Sequence, residues 1–567
     1  MAKDPPEAAS AIDVIIERIG GSGAYQKRFT FLFNMILPVL AAMPYMNMII
    51  SLVSPDHWCH VPGREHTNYT MDEWKNLTIP REVNSQGLLT YAKCSRYALP
   101  TQNWSSTLIS LDLKENTVKC DNGWDYDHTW YDMTAPIKNN WVCDDQMVPS
   151  NAIAIGFVGE VVGTLIFAQM ADIWGRRPIF FLALIAVVSG RVICTFTSTS
   201  MYAFFVFNFI GSLTGETVMQ GPLVIAMEIS DPKNRGLIGM LLFCGWNIGM
   251  SIMPLLMWWL RDWVTFLLAT TLPCAIYLFS WPWIIESPRW LASKGKINRC
   301  LRELRKIAKS NKTSMPPDAE ARLIKFYELN SNEKHHSILG LISSLRLAKN
   351  CFLISCIWSI ILQIYISLAI NVANLAGNPF LNYLYQSLAE LPAFVIAKYI
   401  SDRFGRRYTS IISFTLTFLG CVTIVFIIND PTNAAFVRGL CIFVKFAVMM
   451  AYYSVHLQAL EIYPTCIRQI GLSSGAVLGC TLGTLAPYII ALGATVDATL
   501  PFLIFTVCAI VGAVSTVFLP ETKGYQLPET LADAAIFGAD QDIWGRSFFT
   551  HVDDSDNAEV PFQTITA

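Results

Sequence analysis

Asp172-Ile173-Trp174-Gly175-Arg176-Arg177-Pro178 follows one long apolar run, and Asp402-Arg403-Phe404-Gly405-Arg406-Arg407-Tyr408 follows another 230 residues later. What comes after each copy repeats as well. Glu228 and Arg235 stand seven apart at the edge of an apolar segment in the first half, and Glu461 and Arg468 do so in the second. The halves close on Glu286-Ser287-Pro288-Arg289 and on Pro520-Glu521-Thr522-Lys523-Gly524. Matched hydropathy with matched charges at one membrane face is the pattern of a transporter built from two parallel repeats. These charged residues are expected to form networks between helix ends that close the inner face: Asp172, Arg176, Glu228, Arg235, Glu286 and Arg289 in one half, and Asp402, Arg406, Glu461, Arg468 and Glu521 in the other.

The bulk numbers exclude other classes. At 53% hydrophobic and 15% charged residues over 567, with mean hydropathy +0.40, the chain is too apolar to be soluble. A net charge of −2 predicts no nucleic-acid partner. Apolar runs of roughly 20 residues, enough to cross about 30 Å of hydrocarbon, fall near 30–53, 150–171, 178–199, 201–224, 236–260, 263–285, 351–375, 380–400, 408–428, 434–458, 469–493 and 499–519. The expected fold is therefore an all-α membrane protein of twelve transmembrane helices in two six-helix halves, 30–285 and 350–519. Residues 1–29 form an N-terminal segment without a cleavable signal peptide, and 520–567 form a polar tail, acidic near Asp553 to Asp556.

Loop charge orients the chain. Residues 286–349 carry 14 Lys/Arg against 6 Asp/Glu, and residues 54–149 carry 8 against 13. The positive-inside tendency then puts 286–349 and both termini in the cytoplasm and 54–149 outside. That outer loop holds glycosylation acceptors at Asn68, Asn76 and Asn103. It also holds Cys59, Cys94, Cys120 and Cys143, whose three possible disulfide pairings the sequence does not separate. Within 286–349, Ile297, Leu301, Leu304 and Ala308 share one helical face and Arg299, Arg302, Arg305 and Lys306 the others. This predicts an amphipathic helix under the bundle, at the headgroups or in solvent.

Ionisable residues at bilayer depth are disfavoured by about 2.5–3.5 kcal/mol on insertion scales, so they are buried, paired or used. Glu160, Glu390 and Glu216 each precede a charge at the inner edge by 12 residues, about 18 Å above that face. Arg191 and Lys445 are the cations near the same level. Glu160 with Arg191 and Glu390 with Lys445 are the internal pairs open to them, and Glu216 has none, which makes Glu216 and Glu390 the foremost substrate-facing carboxylates. Trp358 and Tyr365 share a face of the seventh span, Tyr383 precedes Glu390 by seven, and Tyr452, Tyr453 and His456 crowd the tenth. Rings beside carboxylates suit ammonium groups, at about 0.5–2 kcal/mol each, although rings in spans also serve packing.

From Tyr25-Gln26-Lys27 through Pro55-Asp56-His57, the Asp172 motif, Glu286-Ser-Pro-Arg-Trp-Leu291, Glu461-Ile-Tyr-Pro-Thr465 and Pro520-Glu-Thr-Lys-Gly524, the whole chain resembles solute carrier family 22. These are the organic cation, zwitterion and anion transporters of the major facilitator superfamily, and the likeness leans to invertebrate organic cation transporter-like members. The resemblance implies alternating access of two six-helix halves around a central polyspecific site at the plasma membrane. It implies that Glu390, in Leu388-Ala-Glu-Leu-Pro392, is a span-eight carboxylate of cation transporters, that Trp358, Tyr365 and Tyr383 are cavity aromatics, and that Lys445 is the family's span-ten base. Cys480 stands where cation transporters carry Asp and other branches Arg. Glu216 occupies a place that resembles a lysine in cation transporters, Glu160 stands near a family aromatic, and Asn208 replaces the usual span-four arginine. Ala168 and Ile173 depart from the first motif's pattern.

The expected substrate is thus a small amine-bearing cation or zwitterion of the carnitine, β-alanine or biogenic-amine kind. It would be bound by Glu390, Glu216, Glu160, Trp358, Tyr365, Tyr383, Lys445, Tyr453 and Cys480 in a monomer embedded in the lipid bilayer. An organic anion exchanger of the same fold, and a receptor using the outer loop, are the alternatives. No catalytic triad, metal cluster or phosphate-cradling loop is seen, so neither an enzyme nor a cofactor is expected.

Overall fold

A computed structural model describes the chain except for residues 1–6, 67, 86, 99–115, 232–233, 333–337, 465–466, 526–527, 529–530, 540 and 542–567. Asn103 and the acidic tail segment around Asp553 lie outside the described residues. Ten of the described helices are long and apolar enough to cross a membrane. Spans one to three are Ala24–Ser51, Val148–Trp174 and Arg176–Phe196, and spans five and six are Arg235–Leu260 and Trp263–Ser280. Span seven is Leu345–Asn371, and spans nine and ten are Arg406–Ile427 and Ala434–Ile462. Span eleven is Arg468–Gly483 continued by Ala486–Thr495, and span twelve is Leu500–Val517.

The two remaining positions are also helical. Span four breaks into Met201–Ser212 and Gly215–Ile229, so neither piece is long enough by itself, and span eight, Pro379–Phe404, interrupts its apolar run with polar side chains. Both irregularities fall where carboxylates enter the bundle, at Glu216 and Glu390.

The duplicated motif ends a helix and starts the next. Gly175 and Gly405 take φ of +107° and +96°, a region that favours glycine, and a Cβ at either would run into Glu286 or Glu521. Glycine has no side chain to cap spans three and nine. Glu286 replaces the cap by accepting from the Arg176 and Arg177 N–H groups (2.9 and 3.3 Å), and Glu521 does the same for Arg406 and Arg407 (2.9 and 3.1 Å). A carboxylate at a helix N-terminus also meets the positive end of the macrodipole.

The described residues of 54–149 fold into a small domain on one face. Three antiparallel ribbons pair His57–Cys59 with Trp124–Tyr126, Arg81–Val83 with Leu89–Tyr91, and Ser95–Tyr97 with Thr117–Lys119. Helix Met71–Thr78 starts on a capping box of Thr70 and Glu73 and buries Trp74. Of the three pairings open to the cysteines, the structure takes Cys59–Cys120 and Cys94–Cys143. Asn68 and Asn76 are exposed.

The opposite face carries the tails. Helix Glu7–Arg18 inserts Ile12, Ile15, Ile16 and Ile19 into one core with helices Pro288–Ser293, Ile297–Asn311 and Ala319–Asn332, and Leu531–Ile536 packs on span seven. Leu301, Leu304 and Ala308 are buried in that core, with Ile297 packed against it, so the amphipathic helix spends its apolar face on protein.

Candidate functional site

The halves meet along two seams, span five against span eight and span two against span eleven. Glu160 on span two is 5% exposed; it accepts from the Tyr45 hydroxyl of span one and, at 3.8 Å, from the Cys480 thiol of span eleven. Glu216 lies close enough to interact electrostatically with Glu160 and with Tyr452 of span ten, and it accepts from Gln220 at 2.7 Å. Two carboxylates and a thiol, drawn from both halves, thus converge beside aromatic rings.

Arg191 does not neutralise them by direct contact. Close approach of spans three and four at Gly190 and Gly211 brings Arg191 to Asn208, and its guanidinium also donates to Ser212 (3.0 Å) and to the Pro44 carbonyl (3.0 Å). Asn208 is in turn anchored to the Ala152 carbonyl at 2.6 Å. The internal pair Glu160–Arg191 left open by the sequence is therefore not an ion pair within 4 Å. Glu216, expected to have no partner, has an amide one.

The other candidate pair is formed. Lys445 Nζ lies 3.6 Å from Glu390 Oε1 and 3.1 Å from the centroid of the Tyr365 ring, and it donates to the Tyr365 carbonyl at 3.3 Å. Glu390 and Lys445 are 1% and 2% exposed. Of the two internal pairs left open by the sequence, this is the one that forms, so the charge of Glu390 is met within the protein. Among the described residues the Tyr383 hydroxyl and both polar atoms of Gln386 have no hydrogen-bond partner, and the Tyr365 hydroxyl lies in reach of Glu390 and Trp246, so the pair sits among groups able to receive a polar ligand.

Two of the expected rings have neighbours other than the midplane carboxylates. Trp358 packs on Gly475 and meets His456 at 5.6 Å, a packing position between spans. Tyr453 lies against Phe394 (6.3 Å) near Asp402, Arg406 and Glu461, toward the tail face and away from the carboxylates. Tyr45 and Trp246 were not singled out from the sequence. Their rings meet at 5.2 Å, and Trp246 also reaches the surroundings of the Tyr365 hydroxyl, linking the two clusters. Their only sequence signal was an aromatic at depth, which packing residues share.

Aromatic rings meet at both ends of the five–eight seam. Toward the domain face, Phe380 stacks on Trp258 (6.4 Å) and meets Tyr131 of the small domain (5.1 Å). Toward the tail face, Phe243 meets Phe394 (5.5 Å) and Tyr452 (6.3 Å).

Several of the charged residues at helix ends form networks, as the sequence reading expected of each half. Among the described residues, every ion pair they form runs inside its own half. Arg406 binds Glu461 (3.0 Å) and approaches Asp402 (3.9 Å); Arg176 approaches Asp172 (3.6 Å) and Glu228 (3.9 Å). Ser287 and Thr522 hydroxyls donate to Glu228 and Glu461 in matching fashion. Arg235 and Arg289 pair instead with Asp13 of the N-terminal helix (3.2 and 2.5 Å), and Arg468 turns to the Tyr463 carbonyl (3.1 Å). The networks hold each half together and do not tie the two halves across the face. In the small domain, His57 approaches Cys94 and Cys143, but these sulfurs are bonded to each other and offer no thiolate to a metal.

Residues 102–533 match the family model described as sugar (and other) transporter. Human solute carrier family 22 member 7 is 30% identical over 539 residues, covering 92% of this chain and 95% of that protein. The chain belongs to solute carrier family 22 of the major facilitator superfamily. This is a family of transporters and not of enzymes, so the chain is a multi-pass membrane transporter. Organic cation transporter 1 of Caenorhabditis elegans is 28% identical over 548 residues (95% of this chain, 90% of that one). The beta-alanine transporter of Drosophila melanogaster is 27% identical over 555 residues (92% and 88%). A major facilitator proton:xylose symporter shares the fold, with TM-score 0.54 at 17% identity over 71% of this chain and 94% of that one.

Proposed function

We propose that this family member moves small amine-bearing organic cations or zwitterions across the plasma membrane by alternating access, with the domain face outside and the tail face in the cytoplasm. One observation carries the charge class. Both midplane cations are engaged, Lys445 by Glu390 and Arg191 by Asn208, Ser212 and Pro44, while Glu160 and Glu216 have hydroxyl, thiol and amide partners. Three acids against two bases leave a negative excess that a cationic substrate would offset.

Glu160 and Glu216 are the residues that would receive the ammonium group, with Tyr45 and Tyr452 as flanking rings. Tyr383, Gln386 and the Glu390–Lys445 pair would take the polar remainder of the substrate. The relatives named for organic cations and for β-alanine support an amine-bearing substrate. The engagement of Lys445 disfavours the anion-exchanger alternative. Exposed glycosylation acceptors at Asn68 and Asn76 accord with an outer domain.

The test is uptake of labelled tetraethylammonium, carnitine and β-alanine into proteoliposomes of the purified chain, with and without imposed voltage. A monovalent cation carried alone should accumulate roughly tenfold for 60 mV, inside negative. Uptake of dicarboxylates with no amine uptake would reject the reading.

A further inference from the structure

The amphipathic helix Ile297–Asn311 was open to three environments, and its apolar face proves to be covered by protein. What it leaves outward is charge. From Lys294 to Lys312 the chain carries eight Lys/Arg, all exposed, against a single acid, Glu303, which is buried and bound to Lys306 at 2.9 Å. Among the described residues, Arg302, Arg305, Lys309 and Lys312 have no ion-pair partner.

A chain of hydrogen bonds fixes the height of this ridge. Trp283 follows span six, is 70% exposed and accepts from the Tyr25 hydroxyl through its carbonyl at 3.1 Å. The Tyr25 N–H donates to Asn311 Oδ1 at 2.9 Å, and Asn311 Nδ2 donates to the Ile19 and Gly20 carbonyls and to Gln26. Exposed tryptophans at a span's end mark headgroup level, so the last turn of the helix is held within two side chains of that level. Lys27 and Arg28, both exposed, lie two and three residues after Tyr25, and the lipid-facing Phe31 and Leu32 (55% and 47% exposed) lie one turn further on.

We propose that Lys27, Arg28, Lys309 and Lys312 form a docking surface for anionic phospholipid headgroups of the leaflet on the tail face. Charge complementarity and placement carry the assignment. A solvated basic loop needs no anchoring to span one, whereas clustered cations held at the interface lower the free energy of acidic lipid beside them. The surface is separate from the transport site and would hold the N half against its leaflet.

The experiment is native mass spectrometry of the full-length detergent-purified protein, titrated with short-chain phosphatidylserine, short-chain phosphatidylcholine and inositol hexakisphosphate in turn. Wild type should retain phosphatidylserine in preference to phosphatidylcholine. Lys27→Gln, Arg28→Gln, Lys309→Gln and Lys312→Gln combined should lose that retention by roughly tenfold or more. Lys75→Gln with Lys119→Gln, on the domain face, should leave it unchanged. Equal retention of both phospholipids, equal retention by the quadruple variant, or equal binding of inositol hexakisphosphate would each overturn the proposal. If the quadruple variant unfolds, Lys309→Gln with Lys312→Gln alone should still show a several-fold loss.

Discussion

At the level of single residues, the two midplane acids that resemble each other in sequence have opposite surroundings. Glu390 is neutralised by Lys445, and Glu160 is met only by a hydroxyl and a thiol. The sequence put Glu216 and Glu390 foremost as substrate-facing carboxylates; with Glu390 paired to Lys445, the proposed function gives the ammonium group to Glu160 and Glu216. Glu160→Gln is expected to lower the initial rate of tetraethylammonium uptake tenfold or more with little change in thermal stability. Unchanged uptake would remove Glu160 from the site. Glu390→Gln should act first on stability, because it strands the Lys445 charge at a cost of about 3–5 kcal/mol. Adding Lys445→Met should recover most of the loss in thermal unfolding, a coupling that independent sites would not show.

Elements are joined by a device used twice. A glycine in the left-handed region ends one span, and a carboxylate from the end of each half caps the next. Gly405→Ala is expected to destabilise the second half by about 1–3 kcal/mol, since it adds both backbone strain and a clash with Glu521. Its readout is the unfolding temperature. Arg406→Gln should likewise lower that temperature, and it should not by itself raise accessibility from the tail face, because its partners Glu461 and Asp402 belong to the same half. The repeated motifs were legible because helix ends need fixed residue types at fixed spacings. The partner of Arg235 and Arg289 was not, because Asp13 lies 222 residues from Arg235 on a helix placed only by packing.

For the whole molecule, the proposed alternating access would have to part the rings that meet at the seam of the halves. Tyr131 of the small domain wedges against Phe380, and the Ala498 N–H donates to the Ser85 carbonyl at 3.2 Å, so the domain touches the second half as well as the first. Tyr131→Ala is expected to speed labelling of Cys480 by a membrane-impermeant maleimide added to the domain face, by several-fold, with Cys480→Ser as the control. Labelling as slow as in wild type would show that the wedge is not a barrier. Twelve helical stretches, their duplication and the level of the buried charges were set by the sequence alone, because apolar length, repeat and spacing are local quantities that lipid enforces segment by segment. Which charges neutralise each other, which cysteines join and which rings close the path were decided only by the tertiary structure. Those depend on the approach of residues far apart in the chain, as between Asp13 and Arg289, 276 positions apart, and no local pattern encodes such an approach.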